Sequence, residues 1–141
     1  MKFKKYFKNK FKASNKEQFS KIYHGEYGLK TQQIGILSSE IVITAIKVLK
    51  RIIRKKKFLI NHVNPSTGVT KKPRDVRMGR GKGNFAFNVF HLKAGKILFE
   101  IQGIPEKLGC KALYACSLKL PVKTIIVRRN DKYTNSIKSH W

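Results

Sequence analysis

The chain has 141 residues, the size of one compact domain with short extensions and too small for a second catalytic domain. Lys and Arg number 32 against 7 Asp and Glu, a formal net charge of +25; an excess this far beyond the needs of solubility calls for a polyanionic partner. Hydrophobic residues still make up 41% of the chain, enough for a packed core, which excludes a purely disordered basic tail.

The seven carboxylates, Glu17, Glu26, Glu40, Asp75, Glu100, Glu106 and Asp131, form no close pair along the chain, which starves general acid–base catalysis and hard-metal binding of their usual groups. His24, His62, His91 and His140 show no catalytic spacing with a carboxylate, Ser or Cys and read as packing or RNA-contacting residues. The chain is therefore not expected to be an enzyme or to carry a metal or other cofactor. Cys110 and Cys116 are too few for a disulfide scaffold and lack metal-ligand spacing. On one helix they would lie about 9 Å apart along the axis and about 120° apart around it, out of bridging range. The longest apolar stretches are broken well short of the roughly 18 residues of a membrane span.

Residues 1 to 23 alternate Lys2, Lys4, Lys5, Lys8, Lys10 and Lys12 with Phe and Tyr. The strip offers cations to phosphates and aromatic rings to bases, and we read it as a nucleic-acid-binding arm, with a merely solvated arm as the alternative. Its acid-poor character would also suit a mitochondrial transit peptide. Turn-like composition from Gly25 to Gly35 marks the start of the fold. Ser38 is placed to cap a helix over 39–55 with Glu40 in its positive first turn. On that helix Ile41, Val42, Ala45, Ile46, Leu49, Ile52 and Ile53 fall within an arc of about 140°, and Lys47, Lys50, Arg51 and Arg54 within an opposite arc of about 100°. Lys55 extends the cationic run. Solvated helix faces normally mix signs; Glu40 is the one counter-charge here, so this face is expected to meet anions.

Phe58 to Val63 reads as a strand, turned at Asn64-Pro65-Ser66-Thr67-Gly68 into a short return over Val69 to Lys71, a hairpin. Phe85 to Leu92 alternates, with Phe85, Phe87, Val89 and His91 on one side and Ala86, Asn88, Phe90 and Leu92 on the other, which predicts a strand covered on both faces. Ala94-Gly95 then turns it into a partner strand, Ile97 to Gln102. Pro105 marks the first position of a helix ending near Lys119, with Leu108, Ala112, Ala115 and Cys116 on its apolar side, Cys116 serving as a small core residue. A last strand spans Val122 to Val127, and basic residues Lys123, Arg128 and Arg129 lead into a polar tail. The expected fold class is α+β, two helices packed on a mainly antiparallel sheet, with an arm at 1–23, a single domain at 24–127 and a basic tail at 128–141.

The segment from Lys72 to Asn84 is the most informative. Gly79, Gly81 and Gly83 alternate with Arg80 and Lys82, preceded by Arg74, Arg77 and Met78, so the backbone can approach a ligand closely while the intervening residues carry cations. The pattern fits a phosphate backbone. It is not a nucleotide loop, since Val76 and Gly83 occupy the places where the Walker pattern needs Gly and Ser or Thr, and Asn84 stands at the third glycine of the dinucleotide fingerprint. A flexible connection is the bland alternative, but four cations between Arg74 and Asn84 are an odd choice for a connection alone.

These residues resemble the bacterial-type ribosomal protein L-sixteen family of the large subunit. The resemblance rests on Lys72-Pro73 and Arg77-Met78-Gly79-Arg80-Gly81-Lys82-Gly83-Asn84, with Gly25-Glu26-Tyr27-Gly28-Leu29-Lys30, Gly95-Lys96-Ile97-Leu98-Phe99-Glu100, Gly103-Ile104-Pro105-Glu106 and Lys119-Leu120-Pro121-Val122-Lys123-Thr124 in family order over about residues 24–127. It implies an rRNA-embedded protein near the aminoacyl-tRNA site that joins late in subunit assembly. Arg74, Arg77, Met78, Gly79, Arg80, Gly81, Lys82 and Gly83 would form a loop pointing at the tRNA acceptor region by the peptidyl-transferase centre, none of them catalytic. The implied partners are large-subunit rRNA, tRNA and neighbouring ribosomal proteins, with no membrane insertion and no homo-oligomer.

Arg80 stands where the family pattern has lysine, preserving charge while permitting bidentate phosphate contact. Ile36 to Glu40 lacks the arginine and glutamine expected before the first helix. Those departures, with 25 Lys against 7 Arg and abundant Ile, Phe, Asn and Tyr as AT-rich coding produces, point to a mitochondrial member. Two other classes stay open on sequence: a cationic membrane-surface protein using the segregated 39–55 helix, which leaves the glycine loop without a purpose, and a free RNA or DNA chaperone.

Overall fold

The computed structural model describes residues 21–53 and 58–129. The arm residues Lys2, Lys4, Lys5, Lys8, Lys10 and Lys12, together with Arg54 and Lys55, lie outside the described residues. Along the chain run β1 (Tyr27–Thr31), β2 (Gly35–Ser38), α1 (Ser39–Ile53), β3 (Phe58–Asn61), β4 (Thr67–Lys71), β5 (Asn84–Leu92), β6 (Ile97–Gln102), α2 (Glu106–Ser117) and β7 (Thr124–Arg128). The class is α+β, as expected, but the described strands form two antiparallel sheets instead of one, ordered β3-β6-β1-β7 and β2-β5-β4.

The core follows from the apolar faces. β6 buries everything from Ile97 to Ile101, with Leu98, Phe99 and Ile101 fully enclosed, because β3 and β1 flank it and the helices pack over the same cluster. α1 contributes Val42, Ala45, Leu49 and Ile53, and the Ser38 hydroxyl accepts the Ile41 N–H at 3.4 Å as its cap. α2 contributes Gly109, Ala112, Leu113 and Cys116 and packs on α1, β1 and β7. At Gly109 a Cβ would sit 3.3 Å from the Tyr27 ring, so the missing side chain sets how closely α2 lies on β1.

Several local expectations are corrected. The stretch 58–71 is not a hairpin: β3 pairs with β6 and β4 with β5. The Asn61 side chain accepts the Val63 N–H at 2.9 Å and donates to the Val63 carbonyl at 3.0 Å. That bracket ends β3, drops Val63 into the core and sends the chain to the other sheet. Nor do β5 and β6 form a hairpin about Ala94-Gly95, since they too belong to different sheets. Buried Thr31 holds this crossing. Its hydroxyl donates to the Lys93 carbonyl at 2.9 Å, with the Lys96 carbonyl the alternative acceptor at 3.1 Å, and its own carbonyl takes the Gly95 N–H at 2.8 Å.

β5 is not covered on both faces either, because Ala86 and Phe87 are exposed. Val69 pairs with Phe87 but Thr70 with Phe85. The extra residue at Ala86 breaks the alternation, and the Phe85 ring turns over Gly68, 3.3 Å from where a Cβ would lie. Gly25–Gly35 holds a five-residue strand where turn composition was expected. Pro105 is the residue before α2 rather than its first, α2 ends at Ser117, and its inner side uses Leu113, not the exposed Leu108. The last strand begins at Thr124 rather than Val122.

Candidate nucleic-acid interface

β4 and β5 form a hairpin, closed by the pair Lys71 and Asn84, and residues 72–83 are its loop. Gly83 sits at the neck, where a Cβ would come within 2.6 Å of the Lys71 carbonyl oxygen; only glycine lets the two strands of the loop approach there. Beyond the neck, Gly79, Arg80 and Gly81 have φ of 96°, 49° and 84°. Arg80 is thus held in the left-handed region, a conformation that costs a side-chain-bearing residue about 1–2 kcal/mol. The Lys72 ammonium donates to the Gly79 carbonyl and braces the loop across its width, while the Val76 N–H donates to the Pro73 carbonyl at 3.4 Å. Arg74, Arg77, Arg80 and Lys82 are exposed, and Met78 is exposed completely, at 101%. The loop presents four cations about an uncovered thioether, with Asp75 its one acid.

On α1, Lys47, Lys50 and Arg51 are exposed opposite the buried side, as expected, with Ile43 open among them. Lys123 and Arg129 are exposed as well. Arg128 differs: its guanidinium pairs with Glu106, so its charge is already matched within the chain. Sequence reading missed a second helical stripe. Lys107, Lys111, Tyr114 and Leu118 point outward from α2, Tyr114 at 44% and Leu118 at 66% exposure. Their spacing of four, three and four residues is the signal, masked by the apolar side of the same helix.

Sequence reading also missed the most buried charge among the described residues. Glu100, in mid-β6 and 1% exposed, accepts the N–H groups of Tyr23 at 3.3 Å, His24 at 2.9 Å and Gly25 at 2.8 Å, and its Oε1 lies 3.0 Å from His62 Nε2. Burial pushes this carboxyl upward, but the N–H donors of Gly25, His24 and Tyr23 and the charge of His62 outweigh it and hold its pKa below the ordinary carboxylate value. No local motif foretells that grouping, since its members lie 38 to 77 residues apart.

Among the described residues no group of His, Cys, Asp and Glu could hold a metal, and no helix is long and apolar enough to cross a membrane. Burial pushes the Cys116 thiol up to about 12 and the Cys110 thiol upward as well. At pH 7.5 iodoacetamide is therefore expected to leave Cys116 unmodified in the folded chain and to alkylate it after unfolding, measured by mass shift; equal rates in both states would refute its burial.

Comparison with known proteins matches the chain to a family. The model of ribosomal protein L16p/L10e matches residues 1–127. The chain is 49% identical over 141 residues to the large ribosomal subunit protein uL16m of Acanthamoeba castellanii, covering all of both chains. It is 35% identical over 130 residues to the large ribosomal subunit protein uL16 of Leptospira biflexa, covering 92% of this chain and 94% of that one. With that of Psychromonas ingrahamii it shares 34% over 129 residues, 92% and 93% covered.

Proposed function

The chain belongs to the ribosomal protein L16p/L10e family, and from that premise we propose that its charged surfaces divide the work of a large-subunit protein between rRNA and tRNA. It is a structural constituent of the large ribosomal subunit and not an enzyme, and its full-length likeness to uL16m makes its setting the mitochondrial ribosome. The partners of such a constituent are large-subunit rRNA and neighbouring ribosomal proteins.

In the proposed arrangement the arm lysines Lys2 to Lys12, the α1 face with Lys47, Lys50, Arg51, Arg54 and Lys55, and Lys123 and Arg129 bind rRNA, while Arg128 is engaged by Glu106. The loop of Arg74, Arg77, Met78, Gly79, Arg80, Gly81, Lys82 and Gly83 lies by the tRNA acceptor region of the aminoacyl site near the peptidyl-transferase centre. The protein takes its place late in subunit assembly. The observation that carries this reading is the loop itself: braced at Gly79, held at its neck by Gly83, and exposing Arg74, Arg77 and Arg80 about Met78 with Asp75 its one acid. A phosphate backbone supplies the missing charge.

The test is placement. A photo-crosslinker at Met78 in mitochondrial large subunits, with tRNA bound in the aminoacyl site, should couple to tRNA and to the adjacent rRNA. Crosslinks to protein alone would refute the assignment. The α1 face makes a separate prediction. Every phosphate deprived of its cation lowers the salt slope of RNA binding by about 0.7–0.9, so Lys47→Ala, Lys50→Ala and Arg51→Ala together should flatten the dependence on log salt by about two units. An unchanged slope for binding to large-subunit rRNA would mean that the face is merely solvated. The α2 stripe is expected to add to rRNA binding in the same way, with Lys107→Ala and Lys111→Ala together costing somewhat more than one unit.

A further inference from the structure

α2 turns one line of side chains away from the domain. Lys107, Lys111, Tyr114 and Leu118 are all exposed, and at 3.6 residues per turn they fall within an arc of about 60°. Gly109, Ala112, Leu113 and Cys116 occupy the opposite, buried side, and that packing fixes which way the line faces. The line holds its shape to the end. Leu118 follows the last residue of α2 but keeps helical angles, φ −64° and ψ −17°. Its N–H donates to the Tyr114 carbonyl at 3.3 Å, and the Ser117 hydroxyl donates to the same oxygen at 2.7 Å.

The order along the line is cation, cation, ring, aliphatic. Both cations stand where they cost the helix stability. Lys107 lies in the first turn, at the positive end of the helix dipole, and Lys111, four residues on, repels it. The last turn, where a cation would help, has none. Glu106, the one acid of α2, is engaged by Arg128, so the charge that compensates the two lysines comes from outside the helix. Along the axis the lysines are about 6 Å apart, Tyr114 follows about 4.5 Å further on, and Leu118 about 6 Å beyond that. Exposed apolar side chains standing singly are ordinary, but a ring and an aliphatic side chain in line with two lysines match a nucleotide, which has charge at one end and a flat apolar face at the other. Paired RNA shows a protein its phosphates and 2′-hydroxyls and keeps its base faces stacked; it would engage the lysines and leave the ring unused. A splayed base has a free face for that ring.

We propose that the outer line of α2 is a site for an unpaired nucleotide of large-subunit rRNA, with phosphates at Lys107 and Lys111 and the base stacked on the Tyr114 ring beside Leu118. The site rests on the proposed binding of rRNA by this chain. It adds a preference that charge alone does not give, for a bulge or loop over a duplex.

The test uses mitochondrial large subunits carrying the full chain with a benzophenone side chain in place of Tyr114 or, as a control on the α1 face, of Lys50. The probe at Tyr114 should couple chiefly to one nucleotide, unpaired in the rRNA. If the Lys50 probe couples to rRNA while the Tyr114 probe couples to paired nucleotides, to protein alone or to nothing, the inference is overturned and rRNA binding by the chain stands. Failure of both probes to reach rRNA overturns the two together. A second measurement separates ring from charge in the binding of the full chain to large-subunit rRNA. Tyr114→Ala should weaken binding by about fivefold or more, the lower end of what one stacked base contributes, with the salt slope unchanged. Tyr114→Phe keeps the ring and should stay within about twofold of the original chain. Lys107→Ala with Lys111→Ala should instead flatten the slope. Equal losses in Tyr114→Ala and Tyr114→Phe, no loss in Tyr114→Ala, or an unchanged slope in the lysine pair would overturn the site.

Discussion

Glu100→Ala is expected to lower the stability of the folded chain by about 3–5 kcal/mol, the cost of removing one partner from a buried charged cluster. The change strips three backbone donors and the His62 ring of their shared acceptor, each buried donor left unsatisfied costing about 1–3 kcal/mol. Water reaches some of them at the exposed Tyr23 and His24, which keeps the total below the simple sum. The same carboxylate makes stability depend on pH with a definite sign. Its folded pKa lies below the ordinary value, so the folded state binds a proton less readily than the unfolded state. The contribution is fully present above the ordinary carboxylate pKa and is lost as pH falls through the lower, folded one. Denaturant midpoints measured from neutral to acid pH, in salt that screens the +25 self-repulsion, should show the original chain losing this advantage over Glu100→Gln only at the acid end. A difference between the two that vanishes near pH 6, or does not depend on pH at all, would mean that the ionised carboxylate does not hold the segment.

How far the fold was legible depends on whether its signals were local. The start of α1 at Ser39 follows from the Ser38 cap and its inner face from a strong apolar arc, while the expected end at 54–55 lies outside the described residues; β6 was readable as the largely apolar stretch after the Ala94-Gly95 turn. The two assumed hairpins failed for one common reason. Turn residues at Asn64–Gly68 and Ala94-Gly95 say that the chain changes direction, but not whether the next strand pairs with the last one. That was decided by Asn61 bracketing Val63 and by Thr31 gripping the Lys93–Lys96 turn, meetings of residues that no period or motif announces. The bulge at Ala86 is of the same kind, since it moves Phe85 across the sheet without any change in the alternating pattern. At the interface, the loop and the α1 face were legible because charge and glycine spacing are local. Glu100 was not, because its role is defined by residues at 23–25 and 62. Arg128 looked free in the sequence and is paired with Glu106 in the fold.

Removing the loop's cations is expected to have the largest functional effect. Arg77→Ala, Arg80→Ala and Lys82→Ala together should leave the domain folded, because all three side chains are exposed and the loop's neck and brace depend on Gly83 and Lys72. Ribosomes carrying the variant should elongate slowly, and a normal elongation rate would refute the loop's assignment to tRNA. The backbone separates charge from shape within that result. Arg80 occupies φ of 49°, where glycine is unstrained, so Arg80→Gly removes a cation while relaxing the loop. If the loop works through charge, this variant is no less stable than the original, and the salt slope of its RNA binding falls by about 0.7–0.9 of a unit for each phosphate that Arg80 neutralised. Gly83→Ala does the converse, keeping every cation but driving a Cβ into the Lys71 backbone. Because the clash is with backbone rather than a flexible side chain, the neck must open, and the cations are then carried on a loop aimed elsewhere. Slow elongation in Gly83→Ala with an undiminished salt slope would show that the loop's aim matters as much as its charge, whereas normal elongation in Gly83→Ala would reduce the loop to a cationic tether.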